Sequence, residues 1–343
     1  MNESDFRHEM LREIYEQPKC LARTLESIDS SLERRIGHKL RMVYLTGSGT
    51  SYHACLAVNY VISRIASLSS STIPASEFAA WTGKIKPPPG TCLIAVSQSG
   101  ESRDVIQAAK SAVRSGMRTF AVTNAKKSRL ARVVDLPIVA QAGPEKAVTA
   151  TKSFTATLLA AYMLTLALTK RNDLANALRR VPDMVSQTLS LCDEKCKVLA
   201  SKFKDREFFF LLGSGSNLST ALEGALKLKE SCNLFAEGFA TREFLHGPMQ
   251  LVDNRTPIFL LQNEILDEIP KLAESFRRLG APTIIVGSDT SGALGETIEV
   301  AGGLEELFLP LIYVIPLQLF AYYSSVARGL NPDNPTKLRK VVR

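Results

Sequence analysis

The sequence predicts an α/β protein made of two tandem doubly wound parallel sheets, each covered by helices on both faces in three αβα layers. Helices lead in at the N-terminus and a short tail closes the chain. Three observations carry this prediction. The chain has 343 residues, too many for one ordinary core and suited to two α/β units of about 150 residues each. Short apolar runs alternate with longer helical stretches, the pattern of parallel strands buried on both faces. The runs also recur as pairs, at an offset that stays near about 160 residues.

In chain order, residues 1–40 read as one or two leading helices. The first domain spans 41–172, and its first strand, Met42-Val43-Tyr44-Leu45, runs into the turn Thr46-Gly47-Ser48-Gly49-Thr50-Ser51. The next strand, Cys92-Leu93-Ile94-Ala95-Val96, ends in Ser97-Gln98-Ser99-Gly100. Thr119-Phe120-Ala121-Val122 and Leu136-Pro137-Ile138-Val139 follow. Residues 173–205 are rich in Leu, Ala, Lys, Arg and Glu at helical spacing and read as linker helices. The second domain, 206–327, repeats the series. Phe208-Phe209-Phe210-Leu211-Leu212 enters Gly213-Ser214-Gly215-Ser216, and Ile258-Phe259-Leu260-Leu261 enters Gln262-Asn263-Glu264. Thr283-Ile284-Ile285-Val286 and the weaker Thr297-Ile298-Glu299-Val300 complete it, before a tail over 328–343.

The totals exclude several classes. Apolar residues make up 45% and charged residues 22%, an ordinary globular balance. The net charge of +8 is scattered among carboxylates, with one basic cluster at 337–343. It reads as a surface that attracts anions such as phosphorylated metabolites, not as a nucleic-acid footprint. The six cysteines lack paired metal spacing and sit mostly in apolar runs, so they read as reduced, buried thiols with no metal site. The first twenty residues mix acids and bases and resemble no signal peptide, and a cytoplasmic location follows as an expectation. Two charge-free stretches, 153–169 and 307–327, read as buried core helices, not membrane spans.

Ligands of open parallel sheets bind beyond the carboxyl ends of the strands. Ser97-Gln98-Ser99-Gly100-Glu101-Ser102 lies there, with hydroxyls, an amide and a glycine ahead of a helix, and Thr50 and Ser51 offer similar donors from the neighbouring turn. Free backbone N–H groups at a helix start favour an anion. No Gly-Lys-Ser/Thr occurs, and Gly47-Ser48-Gly49 lacks a third glycine, so a phosphate on a small molecule fits better than a nucleotide. From the residues alone, capping turns remain an equal reading. Farther on, Glu223, Lys227 and Glu230 fall on one helical face: either an ordinary i, i+4 pair or a carboxylate and ammonium held where a proton moves. His246, before Gly247-Pro248, is fixed on a turn and is equally readable as structural or functional.

Taken together, the Gly47–Tyr52 run, the Ser97–Ser102 run, the Leu222–Glu230 run and Leu245-His246-Gly247-Pro248 resemble the isomerase half of glucosamine-6-phosphate synthase, a tandem SIS-domain protein. The resemblance extends from about Glu13 to Lys340. It implies that Thr50, Ser51, Ser97, Gln98, Ser99 and Ser102 grip the phosphate of a hexose or hexosamine 6-phosphate, with Gly49, Val148 and Glu223 as further substrate contacts. It implies Glu230 as the base that moves a proton between C1 and C2, with Lys227 assisting near the substrate oxygens. It also implies that His246 opens the ring from the partner subunit of a homodimer, and that Lys340 forms a Schiff base with the open-chain ketose. No cofactor is required.

Three departures matter. Asn2 stands where the synthase's N-terminal glutaminase domain has its cysteine, so that domain is expected to be missing and ammonia to be free or delivered by a separate protein. Val148-Thr149-Ala150-Thr151-Lys152 loses one hydroxyl at Ala150, and Arg339 replaces a small residue before Lys340. The reading is therefore a stand-alone deaminase/isomerase that interconverts glucosamine 6-phosphate and fructose 6-phosphate. A fructosamine-6-phosphate deglycase and a non-catalytic phosphosugar sensor are its rivals.

Overall fold

The computed structural model describes every residue except 1–5, 29–31, 37–39, 67, 83–85, 264–268 and 341–343. Asn2, Glu264 and the 341–343 end of the basic cluster lie outside the described residues. The chain divides into two compact units. One comprises Gln17–Glu145, Lys152–Arg180 and Arg339–Arg343; the other comprises Met1–Glu16, Lys146–Thr151 and Val181–Leu338.

The first of these holds a five-stranded sheet of β1 (Met42–Gly47), β2 (Ser69–Pro74), β3 (Thr91–Val96), β4 (Arg118–Thr123) and β5 (Leu136–Val139). The strands run parallel in the order β2-β1-β3-β4-β5. Every residue of β3 is buried, which is why it reads as an unbroken apolar run. On one face Leu93, Ala95 and Ala121 pack with Phe78, Val105 and Ala109. The helix Lys152–Thr169 packs against Thr50–Ile65 and Gln17–Ser27 and is buried almost throughout.

The second unit repeats the design with β6 (Phe208–Gly213), β7 (Phe235–Ala240), β8 (Ile258–Leu261), β9 (Thr283–Gly287) and β10 (Glu296–Glu299), parallel in the order β10-β9-β8-β6-β7. Alternate residues of β6 serve opposite faces, as the pleat requires. Phe209 meets Phe259 and Phe320, while Phe210 and Leu212 join Ile269, Phe276 and Ile285. The helix Pro310–Ala327 lies against Val181–Lys202 and Asn217–Cys232. Both charge-free stretches are thus helices long and apolar enough to cross a membrane, and both lie mostly buried inside the protein, 78% and 89% of their apolar windows.

The sequence reading missed β2 and β7, each an edge strand. The first is Ser-Ser-Ser-Thr-Ile-Pro, with no fully buried residue, and the second is interrupted by Gly238. Edge strands bury less, so their apolar signal fades. Gly238 is needed because a Cβ there would lie 2.6 Å from the Leu222 backbone nitrogen, where the helix Asn217–Cys232 crosses close to β7.

Candidate active site

In the first unit the strand order reverses between β1 and β3, so the turns that follow them leave neighbouring strands at the sheet's carboxyl edge, the place where open parallel sheets bind ligands. The turn after β1 leads through Gly49, with φ of 55°, into the helix Thr50–Ile65, whose first residues are Thr50 and Ser51. Gly47 has to be glycine, since a Cβ would approach the Ser51 carbonyl carbon to 2.8 Å. The turn after β3 carries Ser97, Gln98 and Ser99, and Ser102 is the N-cap of the helix Arg103–Arg114.

The hydroxyls of this second turn are spent in a particular way. Ser97 Oγ accepts the Gly100 N–H at 3.1 Å and Ser99 Oγ accepts the Glu101 N–H at 3.1 Å. Both use an oxygen lone pair, which leaves the O–H free to donate to an anion. Ser102 makes no side-chain cap bond, so its hydroxyl too is uncommitted to the helix. Gly100 sits at φ of 62°, with Ser128 Oγ 2.2 Å from where a Cβ would stand, and its carbonyl accepts the Leu130 N–H at 3.0 Å. The turn is therefore clamped from behind. The six residues named from the sequence for the phosphate are gathered at one edge of one sheet.

The duplicated loop in the second unit differs. Ser216 and Asn217, the counterparts of Thr50 and Ser51, are buried, and Ser216 Oγ donates to the Glu306 carbonyl at 3.0 Å. Thr50 and Ser51 keep partial exposure. Of the two repeats, the first presents the more open cradle.

The second unit holds the charged cluster. On the helix Asn217–Cys232, Lys227 Nζ lies 3.1 Å from Glu223 Oε1 and 2.6 Å from Glu230 Oε2. The Glu230 contact is a close ion pair. The Lys227 and Glu223 side chains are fully buried, whereas Glu230 keeps 22% of its surface exposed. Burial alone pushes the Lys227 ammonium down. The two carboxylates outweigh it and hold the group above the ordinary lysine range. Lys227 is thus a fixed positive charge, and Glu230 is the member of the cluster that reaches solvent.

His246 follows a short turn of helix, Glu243–Leu245, and stands exposed, with Gly247 at φ of 141° behind it. Val148 is half-buried and donates its N–H to the Asp333 carbonyl at 2.9 Å. In the first unit, Lys340 Nζ lies 2.7 Å from Glu145 Oε2. The Glu145 side chain is fully buried and also accepts the Ser153 N–H at 3.0 Å and Ser153 O–H at 2.6 Å.

Sequence reasoning did not find Glu145, Glu13 or Asp333. Glu13 accepts backbone N–H groups from Lys146 and Ala147, and the Asp333 carboxylate accepts the N–H groups of Glu9 and Met10 at 2.9 and 2.7 Å. Together they fix the segment that carries Val148. The partners of the Glu13 and Asp333 carboxylates lie more than a hundred residues away in sequence, so no local pattern marked these two. All six cysteines are buried, and burial pushes the Cys92 thiol up to about 12. Among the described residues, no three His, Cys, Asp or Glu side chains group to hold a metal.

Comparison with known proteins agrees with this architecture. The chain is 38% identical to glutamine–fructose-6-phosphate aminotransferase (isomerizing) of Pyrobaculum aerophilum over 98% of its own length and 57% of that relative. It thus spans rather more than half of the curated relatives it matches. The C-terminal domain of the Francisella tularensis glucosamine-fructose-6-phosphate aminotransferase superposes with a TM-score of 0.89 at 28% identity, covering 97% of this chain and 99% of that one. A glucosamine-6-phosphate deaminase of Thermotoga maritima superposes with a TM-score of 0.79, also at 28% identity, with the same coverage of each chain. Residues 38–167 and 202–328 each match the SIS domain, one match per repeat. The chain is a member of the SIS-domain family, with two repeats, homologous to the isomerase half of glucosamine-fructose-6-phosphate aminotransferase.

Proposed function

We propose that the protein is a sugar-phosphate isomerase of the deaminase type, interconverting glucosamine 6-phosphate and fructose 6-phosphate with free ammonia. The observation that carries the reading is the pair of hydroxyl-bearing turns at the β1/β3 reversal, with the hydroxyl hydrogens of Ser97 and Ser99 left to donate. Similarity along nearly the whole length of the Thermotoga maritima deaminase supports the choice of free ammonia.

In this proposal Thr50, Ser51, Ser97, Gln98, Ser99 and Ser102 hold the phosphate, remote from the reacting carbons, and so position the sugar. Glu230 takes a proton from the carbon beside the carbonyl or imine and returns it to the neighbouring carbon. Lys227, charged throughout, stabilises the oxygen that gains negative charge, and Glu223 acts through Lys227. Lys340 condenses with the ketose carbonyl, releasing water, and ammonia displaces the lysine from that imine. To attack, Lys340 must first lose a proton, and the Glu145 carboxylate lies 2.7 Å from its nitrogen. The exposure of His246 supports its contribution to a second copy in a homodimer, where it opens the sugar ring. Gly49 and Val148 contact the sugar through backbone atoms, and the enzyme works in the cytoplasm.

The test is incubation of the purified protein with glucosamine 6-phosphate, measuring ammonia and fructose 6-phosphate, alongside a panel of hexose and fructosamine 6-phosphates. Turnover of glucosamine 6-phosphate is expected. Turnover confined to fructosamine 6-phosphates would replace the reading with a deglycase, and tight binding without turnover of any member would replace it with a sensor.

A further inference from the structure

The first unit carries a second polar feature that this chemistry does not use. The helices Arg103–Arg114 and Arg129–Val133 enclose a recess of about 270 Å³. Arg103, Gln107 and Lys110 line one wall from successive turns of the first helix, and Arg129 and Arg132 line the other. The floor is apolar, formed by the buried Ile106 and the half-buried Val133. Four cations and no carboxylate line the recess.

The cations are unequally committed. Arg129 is anchored by Glu101, with Nε 2.5 Å from one carboxylate oxygen, its backbone N–H 2.9 Å from the other, and a terminal nitrogen 3.2 Å from the Glu101 carbonyl. These bonds hold the Glu101 carboxyl below its usual range and fix the direction of the guanidinium. Arg132 spends only Nε, on the Ser128 carbonyl at 3.4 Å. Arg103 and Lys110 have no hydrogen-bond or ion-pair partner among the described residues. Like charges on a shared rim repel one another, and an anion bound between them removes that cost. Guanidinium groups from two walls suit phosphate oxygens in particular. The volume falls below the roughly 300–1,000 Å³ of sites for drug-sized ligands.

We propose that this recess is a binding site for a compact ligand with two phosphoryl groups, a diphosphate or bisphosphate, separate from the turn that holds the substrate phosphate. Inorganic pyrophosphate is the probe, titrated calorimetrically into the full-length protein at physiological salt. Binding is expected, and it should weaken roughly tenfold or more in Lys110→Gln/Arg132→Gln, the loss of at least one charge-assisted contact. Fructose 6-phosphate binding should be unchanged in that variant. Both positions are exposed, and Lys110→Glu alone gives a second variant expected to lose at least as much. Three results would overturn the proposal: no pyrophosphate binding, binding indifferent to these substitutions, or pyrophosphate displaced competitively by fructose 6-phosphate. Binding of polyglutamate with pyrophosphate silent would also overturn it, by assigning the recess to an acidic protein segment.

Discussion

Replacing Lys227 by Met keeps the volume of the side chain and deletes the charge between two carboxylates. The consequence follows from the burial of each partner. Glu223 is fully buried and 3.1 Å from the ammonium, so its pairing is worth roughly 5 kcal/mol at an effective dielectric of about 20. Glu230 keeps 22% exposure and can turn part of its charge to water, so it contributes less. Some of the lost attraction is recovered because the ammonium no longer has to be buried, and the net cost of breaking such a pair is about 3–5 kcal/mol. For a unit of this size that is a fall in melting temperature of roughly 6–20 °C, measurable by calorimetry. Converting the partner as well, in Lys227→Met/Glu223→Leu, removes the stranded charge and should restore more than half of the loss. In the unaltered protein the ammonium is held above the ordinary lysine value of 10.5, so its contribution is complete below that pH and is lost as pH rises through the folded value. A loss under about 1 kcal/mol for Lys227→Met, or a double variant no more stable than the single one, would refute the reasoning.

Other predictions test the first unit. Ser102→Ala removes a hydroxyl that makes no cap bond, so stability should stay within about 0.5 kcal/mol while fructose 6-phosphate affinity falls about tenfold or more by calorimetry; an equal loss of both would point to a structural serine. Gly100→Ala forces a side chain into a positive-φ position against Ser128 and should cost about 1–3 kcal/mol in urea unfolding, with sugar-phosphate binding weakened as the turn shifts. Borohydride reduction in the presence of fructose 6-phosphate should attach the sugar to Lys340, detected by peptide mass, and Lys340→Arg should abolish the adduct; labelling of another lysine would remove Lys340 from the chemistry.

The sequence was most legible where burial is two-sided. The central strands β1, β3, β6 and β8 were read from unbroken apolar runs, and β8 appears with the bounds expected. The duplication itself disclosed two sheets, because the same strand-turn-helix order returns at a steady offset. Of the four edge strands, β5 and β10 were read and two escaped: β2 is built of serines, and β7 holds an exposed Phe235 and a glycine required by helix packing. At the site, the Ser97–Ser102 turn was visible because glycine and hydroxyls cluster at a strand end. The Glu223-Lys227-Glu230 spacing was visible too, but its burial was not, since the same pattern on a surface helix is an ordinary salt bridge. Glu145, Glu13 and Asp333 left no local trace because each works on backbone or side-chain groups brought to it by the fold.

The most direct test of the proposed chemistry follows hydrogen, not product. Fructose 6-phosphate is incubated with the protein in deuterated water, and deuterium on the carbons beside the carbonyl is followed by NMR. The unaltered protein should introduce deuterium, and Glu230→Gln should bind the sugar with similar affinity yet introduce none. Undiminished exchange in Glu230→Gln would contradict the assignment of proton transfer to that carboxylate.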